Sequence, residues 1–214
     1  MTARPITTRA TTTRRSRQVF RRRRRRRITL MLGVALLAAA LAALILPRLP
    51  DAVREFALPL AHEDIIRQQA GAKELDPSLL AAVIYAESGF RPRTSHAGAR
   101  GLMQITPATA RYIAHLSGGT AFEQGDLATP QINIAYGAYY LRYLLGRYNH
   151  NTVLALAAYN GGEGNVDSWI ARSGTSEQAF SIAQIPFTET RNYVTRVLNA
   201  RRSYRQKYSA ELGL

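Results

Sequence analysis

Glu87 is the residue of this chain whose surroundings most clearly favour acid–base chemistry. It lies three residues after Ile84, four after Val83 and seven after Leu80, so a helix turns all four side chains toward one face. A carboxyl group on that apolar face is desolvated, and it also sits at the negative C-terminal end of the helix dipole. Both effects favour the protonated form, which suits a general acid acting on a glycosidic oxygen. The alternative is a structural role, in which Glu87 caps the helix or forms an ion pair.

Three further blocks supply polar groups from distant parts of the chain. They occupy residues 98–104, 157–162 and 185–194. The amides of Gln104 and Asn160 can bind sugar hydroxyl and acetamido groups, although a structural hydrogen bond to the backbone is the alternative for each. One desolvated acid and polar groups from separate segments indicate a site that cleaves glycans.

Together these blocks resemble the soluble-lytic-transglycosylase type of peptidoglycan lytic transglycosylase. The resemblance rests on Glu-Ser at residues 87–88, on Gly-Leu-Met-Gln at 101–104 and on the two later blocks, and it extends over roughly residues 62–205. The loop before Gly-Leu-Met-Gln is about one residue short. The family usually reads Tyr-Asn-Ala-Gly where this chain has Tyr-Asn-Gly-Gly at 159–162.

This resemblance implies a lysozyme-like helical fold and a mechanism with one carboxyl group. Glu87 would protonate the β-1,4 bond between N-acetylmuramic acid and N-acetylglucosamine, and would then act as a base to form a 1,6-anhydromuramyl end. No cofactor is implied. The substrate-binding residues that the resemblance implies are Ser95, Gln104, Tyr159, Asn160, Glu189 and Tyr193.

Several alternatives remain open at this stage. Tyr159 could serve only in packing, and Glu189 could pair with Arg191 or a neighbouring helix. The enzyme could be a muramidase of lysozyme type that uses water, or the domain could bind glycan strands without cleaving them. Analysis of the product ends distinguishes these functions.

The strong positive charge of the chain belongs to its N-terminal tail. The formal net charge is +15, and residues 1–27 contain twelve arginines and no acidic residue, which leaves +3 for the rest. A nearly neutral domain argues against a nucleic-acid-binding function. An arginine-rich arm that binds nucleic acid is the alternative interpretation of residues 1–27 alone.

Residues 28–46 have the properties of a membrane anchor. These nineteen residues carry no charge and would span about 28 Å as a helix, close to the hydrocarbon thickness of a bilayer. Seven consecutive arginines precede them, which predicts a cytoplasmic N-terminus and a domain facing the periplasm or cell wall of a bacterium. A cleaved signal peptide is the stronger rival and a buried core helix the weaker one. Residues 47–61, with three prolines, are predicted to form a linker.

The remaining residues, 62–208, predict one mainly α domain. Apolar residues recur at helical spacing, Asp76-Pro77 marks a helix start, and Gly89 marks a helix end. Residues 90–105 are predicted to be irregular, and no run of alternating strand character is present. The chain has no cysteine, and its four histidines show no metal-ligand spacing, so no metal is expected.

Overall fold

The computed structural model describes residues 58–118 and 123–214. The predicted tail, the predicted anchor at 28–46 and most of the predicted linker lie outside these residues. Within the described ranges, no helix is both long enough and apolar enough to cross a membrane.

The prediction of a mainly α domain is confirmed by the elements of the described residues. The helices are α1 Glu63–Ala72, α2 Pro77–Ser88, α3 Pro107–Leu116, α4 Pro130–Arg147, α5 Thr152–Gly161, α6 Glu163–Ser173, α7 Thr188–Lys207 and α8 Ser209–Leu212. Short 3-10 helices occur at Gln124–Ala128, Glu177–Ala179 and Ile182–Gln184.

A two-stranded hairpin lies in the segment that was predicted to be irregular. Strands β1 Arg93–Thr94 and β2 Arg100–Gly101 pair antiparallel, with Arg93 opposite Gly101 and Thr94 opposite Arg100. Each strand has only two residues, too few for an alternating apolar pattern to be recognisable in the sequence. The hairpin follows α2 directly and therefore lies next to Glu87.

Helix α2 has the start and the end that its sequence predicts. The side chain of Asp76 accepts a hydrogen bond from the backbone N–H of Ser78 at 2.8 Å, and Pro77 occupies the first turn. Gly89 ends the helix in the left-handed conformation, with φ of 60°, and its N–H donates to the carbonyl of Tyr85. The two ends place Glu87 in the last turn.

Two helices form the centre of the core because they are apolar on all sides. In α2 every residue from Ser78 to Ile84 is buried, and in α5 every residue from Leu154 to Ala158 is buried. Helix α7 packs along α2, whereas α4, α6 and α7 all pack against α5. Both α2 and α5 end in residues that the sequence marks as functional, so the core positions the ends of its two central helices.

The packed domain begins before residue 62 and continues beyond residue 208. Leu58 is buried, the Tyr208 hydroxyl donates to the Leu58 carbonyl at 2.9 Å, and the Tyr204 hydroxyl donates to the Pro59 carbonyl at 2.5 Å. At the other end, Leu212 of α8 is buried. The last residues of the predicted linker therefore contact the domain.

Candidate active site

Glu87 is half-buried, and among the described residues its side chain has one direct hydrogen bond. Its Oε1 accepts from the hydroxyl of Tyr193 at 2.8 Å, and these two residues are separated by 106 positions in the chain. Burial raises the pKa of Glu87 to about 7, although the Tyr193 hydrogen bond and the charges of Arg196 and Arg93 act in the opposite direction. The carboxyl group can therefore both donate and accept a proton near neutral pH.

Tyr159 and Tyr193 bring the second and third sequence blocks to this glutamate. Tyr193 is buried on α7, and Tyr159 lies on α5, where its hydroxyl donates to the carbonyl of Met103 at 3.0 Å. Burial and the charge of Glu87 raise the pKa of both phenols well above the ordinary value. Both side chains are therefore neutral, and Tyr193 acts as a hydrogen-bond donor toward Glu87.

Ser95 and Gln104 form part of the hairpin and the turn that follows it. The Ser95 hydroxyl oxygen accepts from the Ala99 N–H at 3.0 Å. The Gln104 side-chain nitrogen donates to the carbonyls of Arg93 and Gly101, both at 2.8 Å. The donor end of the Gln104 amide is therefore committed to the backbone, and its carbonyl end is the part that could contact a sugar.

Asn160 and Glu189 are exposed and lie on the same helices as Tyr159 and Tyr193, respectively. Asn160 follows Tyr159 on α5, and no residue of the described ranges forms a hydrogen bond with its side chain. Glu189 lies in the first turn of α7, four residues before Tyr193, and so on the same helix face. Its suggested partner Arg191 bonds instead to the Ile185 carbonyl at 2.6 Å and to the Thr188 hydroxyl at 3.1 Å.

Asn133 holds the glycine-rich turn in place, although its role was not predicted from the sequence. This buried side chain accepts from the Met103 N–H at 2.8 Å and donates to the carbonyls of Arg100 and Leu127 at 2.9 and 3.0 Å. A Cβ on Gly101 would lie 2.2 Å from the Asn133 nitrogen, so only glycine fits. A polar residue between Ile132 and Ile134 in an apolar helix was the available signal.

Gly137 allows the same turn to approach α4 closely. A Cβ at this position would lie 2.3 Å from the sulfur of Met103, which is fully buried. Because Met103 also provides the carbonyl that Tyr159 binds, this one residue packs the turn against α4 and links it to α5.

Two arginines near Glu87 were also not identified from the sequence. The Arg93 guanidinium donates to the backbone carbonyl of Glu87 at 3.0 Å. The guanidinium carbon of Arg196 lies 6.0 Å from the centre of the Tyr193 ring. Both arginines are exposed, and both charges lower the pKa of Glu87. Their types are common at protein surfaces, so nothing in the sequence alone separates them from solvated arginines.

The described residues contain no group of three or more histidine, aspartate or glutamate side chains arranged to hold a metal ion. The site that they do assemble consists of one titrating carboxyl group, two neutral phenols and the backbone of the glycine-rich turn. This arrangement can carry out general acid–base chemistry.

Comparison with known proteins matches residues 64–182 to the Transglycosylase SLT domain, which is more than half of the chain. The chain belongs to the SLT transglycosylase family. This confirms the resemblance found in the sequence motifs.

Two curated relatives show how this SLT chain compares in length. It is 36% identical over 143 residues to the soluble lytic murein transglycosylase of Escherichia coli K12, covering 65% of this chain and 22% of that protein. It is 33% identical over 168 residues to the membrane-bound lytic murein transglycosylase C of Mannheimia succiniciproducens, covering 66% of this chain and 46% of that protein. The chain therefore spans about a fifth of the length of the E. coli protein and less than half of the length of the M. succiniciproducens protein.

A solved structure shares the fold of the SLT domain. This is an inactive glutamate-to-glutamine mutant of the lytic transglycosylase Slt from Pseudomonas aeruginosa, with 35% sequence identity and a TM-score of 0.63. The match covers 72% of this chain and 25% of that one. Its extent confirms the predicted fold for the helical domain.

Proposed function

We propose that this protein is a lytic transglycosylase that cleaves the bond between N-acetylmuramic acid and N-acetylglucosamine in peptidoglycan. The observation that carries this proposal is the single carboxyl group of Glu87, half-buried and with a pKa of about 7. Within the described ranges, no second carboxylate is among the groups whose charge shifts that pKa. Glycosidases that use two carboxylates place the second across the scissile bond, whereas substrate-assisted ones do not need it.

In the proposed reaction, Glu87 first acts as an acid and then as a base. It donates its proton to the glycosidic oxygen, and the acetamido oxygen of the muramyl sugar stabilises the cationic C1. The ionised Glu87 then takes the proton from the C6 hydroxyl of the same sugar as the C6 oxygen closes on C1. The proton returns to Glu87, no water is consumed, and the product carries a 1,6-anhydromuramyl end.

The other site residues would position the sugar and the acid. Tyr193 would fix the orientation of the Glu87 carboxyl group, and Tyr159 would hold the glycine-rich turn through Met103. Positioning matters because the attack is intramolecular. The side chains proposed to contact the substrate directly are those of Ser95, Gln104, Asn160 and Glu189. A sugar would also contact any accessible face of the Tyr159 and Tyr193 rings.

We further propose that residues 28–46 anchor the enzyme in the inner membrane, with residues 1–27 in the cytoplasm and the domain facing the cell wall. The supports are the uncharged nineteen-residue segment and the arginines before it. A similar protein is named a membrane-bound enzyme, which agrees with this location.

The product ends test the reaction. The full-length protein is incubated with purified peptidoglycan sacculi, and the masses of the soluble fragments are measured by mass spectrometry. Anhydromuramyl ends are lighter by one water than reducing ends, so their release is expected. Reducing ends instead would indicate a lysozyme-type hydrolase, and binding to sacculi without any released fragment would indicate a glycan-binding module. Either result would overturn the proposal.

A further inference from the structure

Two guanidinium groups from different elements lie close enough to the Glu87 carboxyl for their charges to lower its pKa. Arg93 comes from β1 and uses one N–H on the Glu87 carbonyl, while Arg196 comes from α7 and lies over the Tyr193 ring that hydrogen-bonds to Glu87. Arg196 lies three residues after Tyr193, and therefore on the same helix face. The two cations thus lie near one point of the site.

Neither of these arginines forms an ion pair with a carboxylate of the described residues. Other arginines of the domain do so: Arg201 and Arg205 pair with Asp76, and Arg147 pairs with Glu163 and with another acidic side chain on α6. Glu189 lies on the same face of α7 as Arg196 but seven residues away, and it does not pair with Arg196 either. Arg93 and Arg196 are therefore available to an external anion.

Unpaired cations at this position oppose the function of the acid. Both arginine charges favour ionised Glu87, whereas the first step needs the protonated form. A bound anion would offset these charges and would raise the pKa of Glu87 further. Guanidinium groups bind carboxylates well because their planar N–H groups match the two carboxylate oxygens.

We propose that Arg93 and Arg196 together bind a carboxylate of the glycan substrate beside the scissile bond. The inference rests on the proposed function, since peptidoglycan provides such carboxylates. Two sources share this chemistry: the lactyl group on C3 of the muramyl sugar, where no peptide is attached, and the free carboxylates of the stem peptide. The pair would thereby favour peptidoglycan over neutral chitin-like glycans.

Binding of small fragments tests this site without any need for turnover. The ligands are the N-acetylglucosaminyl-N-acetylmuramic acid disaccharide, its methyl ester and the same disaccharide with a stem peptide, titrated calorimetrically into the full-length protein. Arg196→Gln and Arg93→Gln are each expected to weaken the carboxylate ligands about tenfold and to leave the ester unchanged. Arg202→Gln, another exposed arginine of α7, is the matched control and is expected to change nothing.

The pattern of losses identifies the carboxylate or rejects the site. A loss confined to the peptide-bearing ligand assigns the stem carboxylate, and a loss confined to the free disaccharide assigns the lactyl group. Equal behaviour of Arg196→Gln and Arg202→Gln, an equal loss for the ester, or an effect of only one of the two arginines would overturn the proposal. If Arg93→Gln fails to fold, Arg93→Lys replaces it and should show a smaller loss, because lysine keeps the charge without the planar fork.

These outcomes are independent of the proposed reaction. The transglycosylase proposal fails if the unmodified protein releases no anhydromuramyl ends from sacculi. The carboxylate site fails on fragment binding alone, whatever those products are.

Discussion

The two ends of helix α2 carry carboxyl groups whose pKa values move in opposite directions. Burial by itself would raise the pKa of Asp76, but hydrogen bonds from Ser78 and Arg201 outweigh it and hold that pKa below the ordinary value. Burial likewise raises the pKa of Glu87, and the Tyr193 hydrogen bond and more distant arginine charges are too weak to reverse the effect. Both groups face α7, so part of the difference lies in what α7 presents to each.

At the N-terminal end, α7 presents cations in direct contact. The Arg201 and Arg205 guanidinium groups lie 2.7 and 2.9 Å from Asp76 Oδ2. At the C-terminal end, α7 presents a neutral phenol to Glu87, and Arg196, whose charge lowers the Glu87 pKa, lies over the Tyr193 ring. One helix pair therefore produces a structural anion and a titrating acid, according to whether a buried carboxyl group receives an ion-pair partner.

The largest effect that this comparison predicts is on catalysis. Glu87→Gln should reduce the release of anhydromuropeptides by roughly 10²–10⁴-fold, because the amide cannot donate a proton. Asp76→Asn is the matched control, and it should retain activity because Asp76 lies at the far end of α2. An activity of Glu87→Gln within a few-fold of the unmodified protein would show that the acid lies elsewhere.

Glu87→Gln should also stabilise the fold above neutral pH. Because folding raises the pKa of Glu87 from 4.5 to about 7, its proton favours the folded state. That contribution is complete below pH 4.5 and is lost as the pH rises through 7. Glu87→Gln should therefore exceed the unmodified protein by about 2–3 kcal/mol in free energy of unfolding at pH 8, with little difference at pH 4. Urea unfolding at the two pH values measures this; equal gains at both would exclude a titrating Glu87.

Asp76→Asn should change stability in the opposite direction. Folding lowers the pKa of Asp76, so its ionised form stabilises the protein above the ordinary aspartate pKa, and this contribution disappears as the pH falls through the lowered value. Asparagine can still cap α2 but cannot pair with Arg201 and Arg205. A loss of about 1–2 kcal/mol at pH 7, shrinking on acidification, is expected in urea unfolding. A gain at pH 7 would contradict the assignment of Asp76 as a structural anion.

Tyr193→Phe should give the smallest effect. It should also widen the difference in pKa between Glu87 and Asp76. Removal of the phenol eliminates a hydrogen bond that lowers the pKa of Glu87. The alkaline limb of kcat/KM should therefore move to higher pH, while kcat falls roughly tenfold because the carboxyl group loses its orientation. Tyr204→Phe, which removes a buried phenol farther along α7, should move neither quantity in a pH profile. An unshifted limb in Tyr193→Phe would show that the hydrogen bond does not tune the acid.

Local sequence rules predicted a helix and its ends well where the residues that determine them lie close together in the chain. Asp76, Pro77 and Gly89 bound α2 as expected, and the apolar spacing before Glu87 correctly predicted a helix. The end of α1 at Ala72 has no such local signal, and two residues later Glu74 adopts a positive φ of 51°. The short strand pair was missed because backbone bonds across a turn, and not a run of β-forming residues, define it.

The contacts within the site were less predictable because they join distant segments. Gln104 remains a predicted substrate contact, but the sequence did not indicate that its amide nitrogen binds two backbone carbonyls, those of Arg93 and Gly101. Asn133 gives the turn its shape from α4, thirty residues away from Met103. Arg93 and Arg196 acquire their relation to Glu87 only when β1 and α7 each pack near the end of α2.

The sequence by itself determined the helices, the position of Glu87 on an apolar face and the family motifs, because periodicity, capping residues and short motifs act within a few residues of each other. It also determined the charge of the tail and the uncharged length of residues 28–46. Only the tertiary structure decided that Glu87 is left with a phenol and Asp76 with two guanidinium groups. The pKa of a buried carboxyl group depends on partners within a few ångströms in space, and two of those partners, Tyr193 for Glu87 and Arg201 for Asp76, lie more than a hundred residues away in the chain.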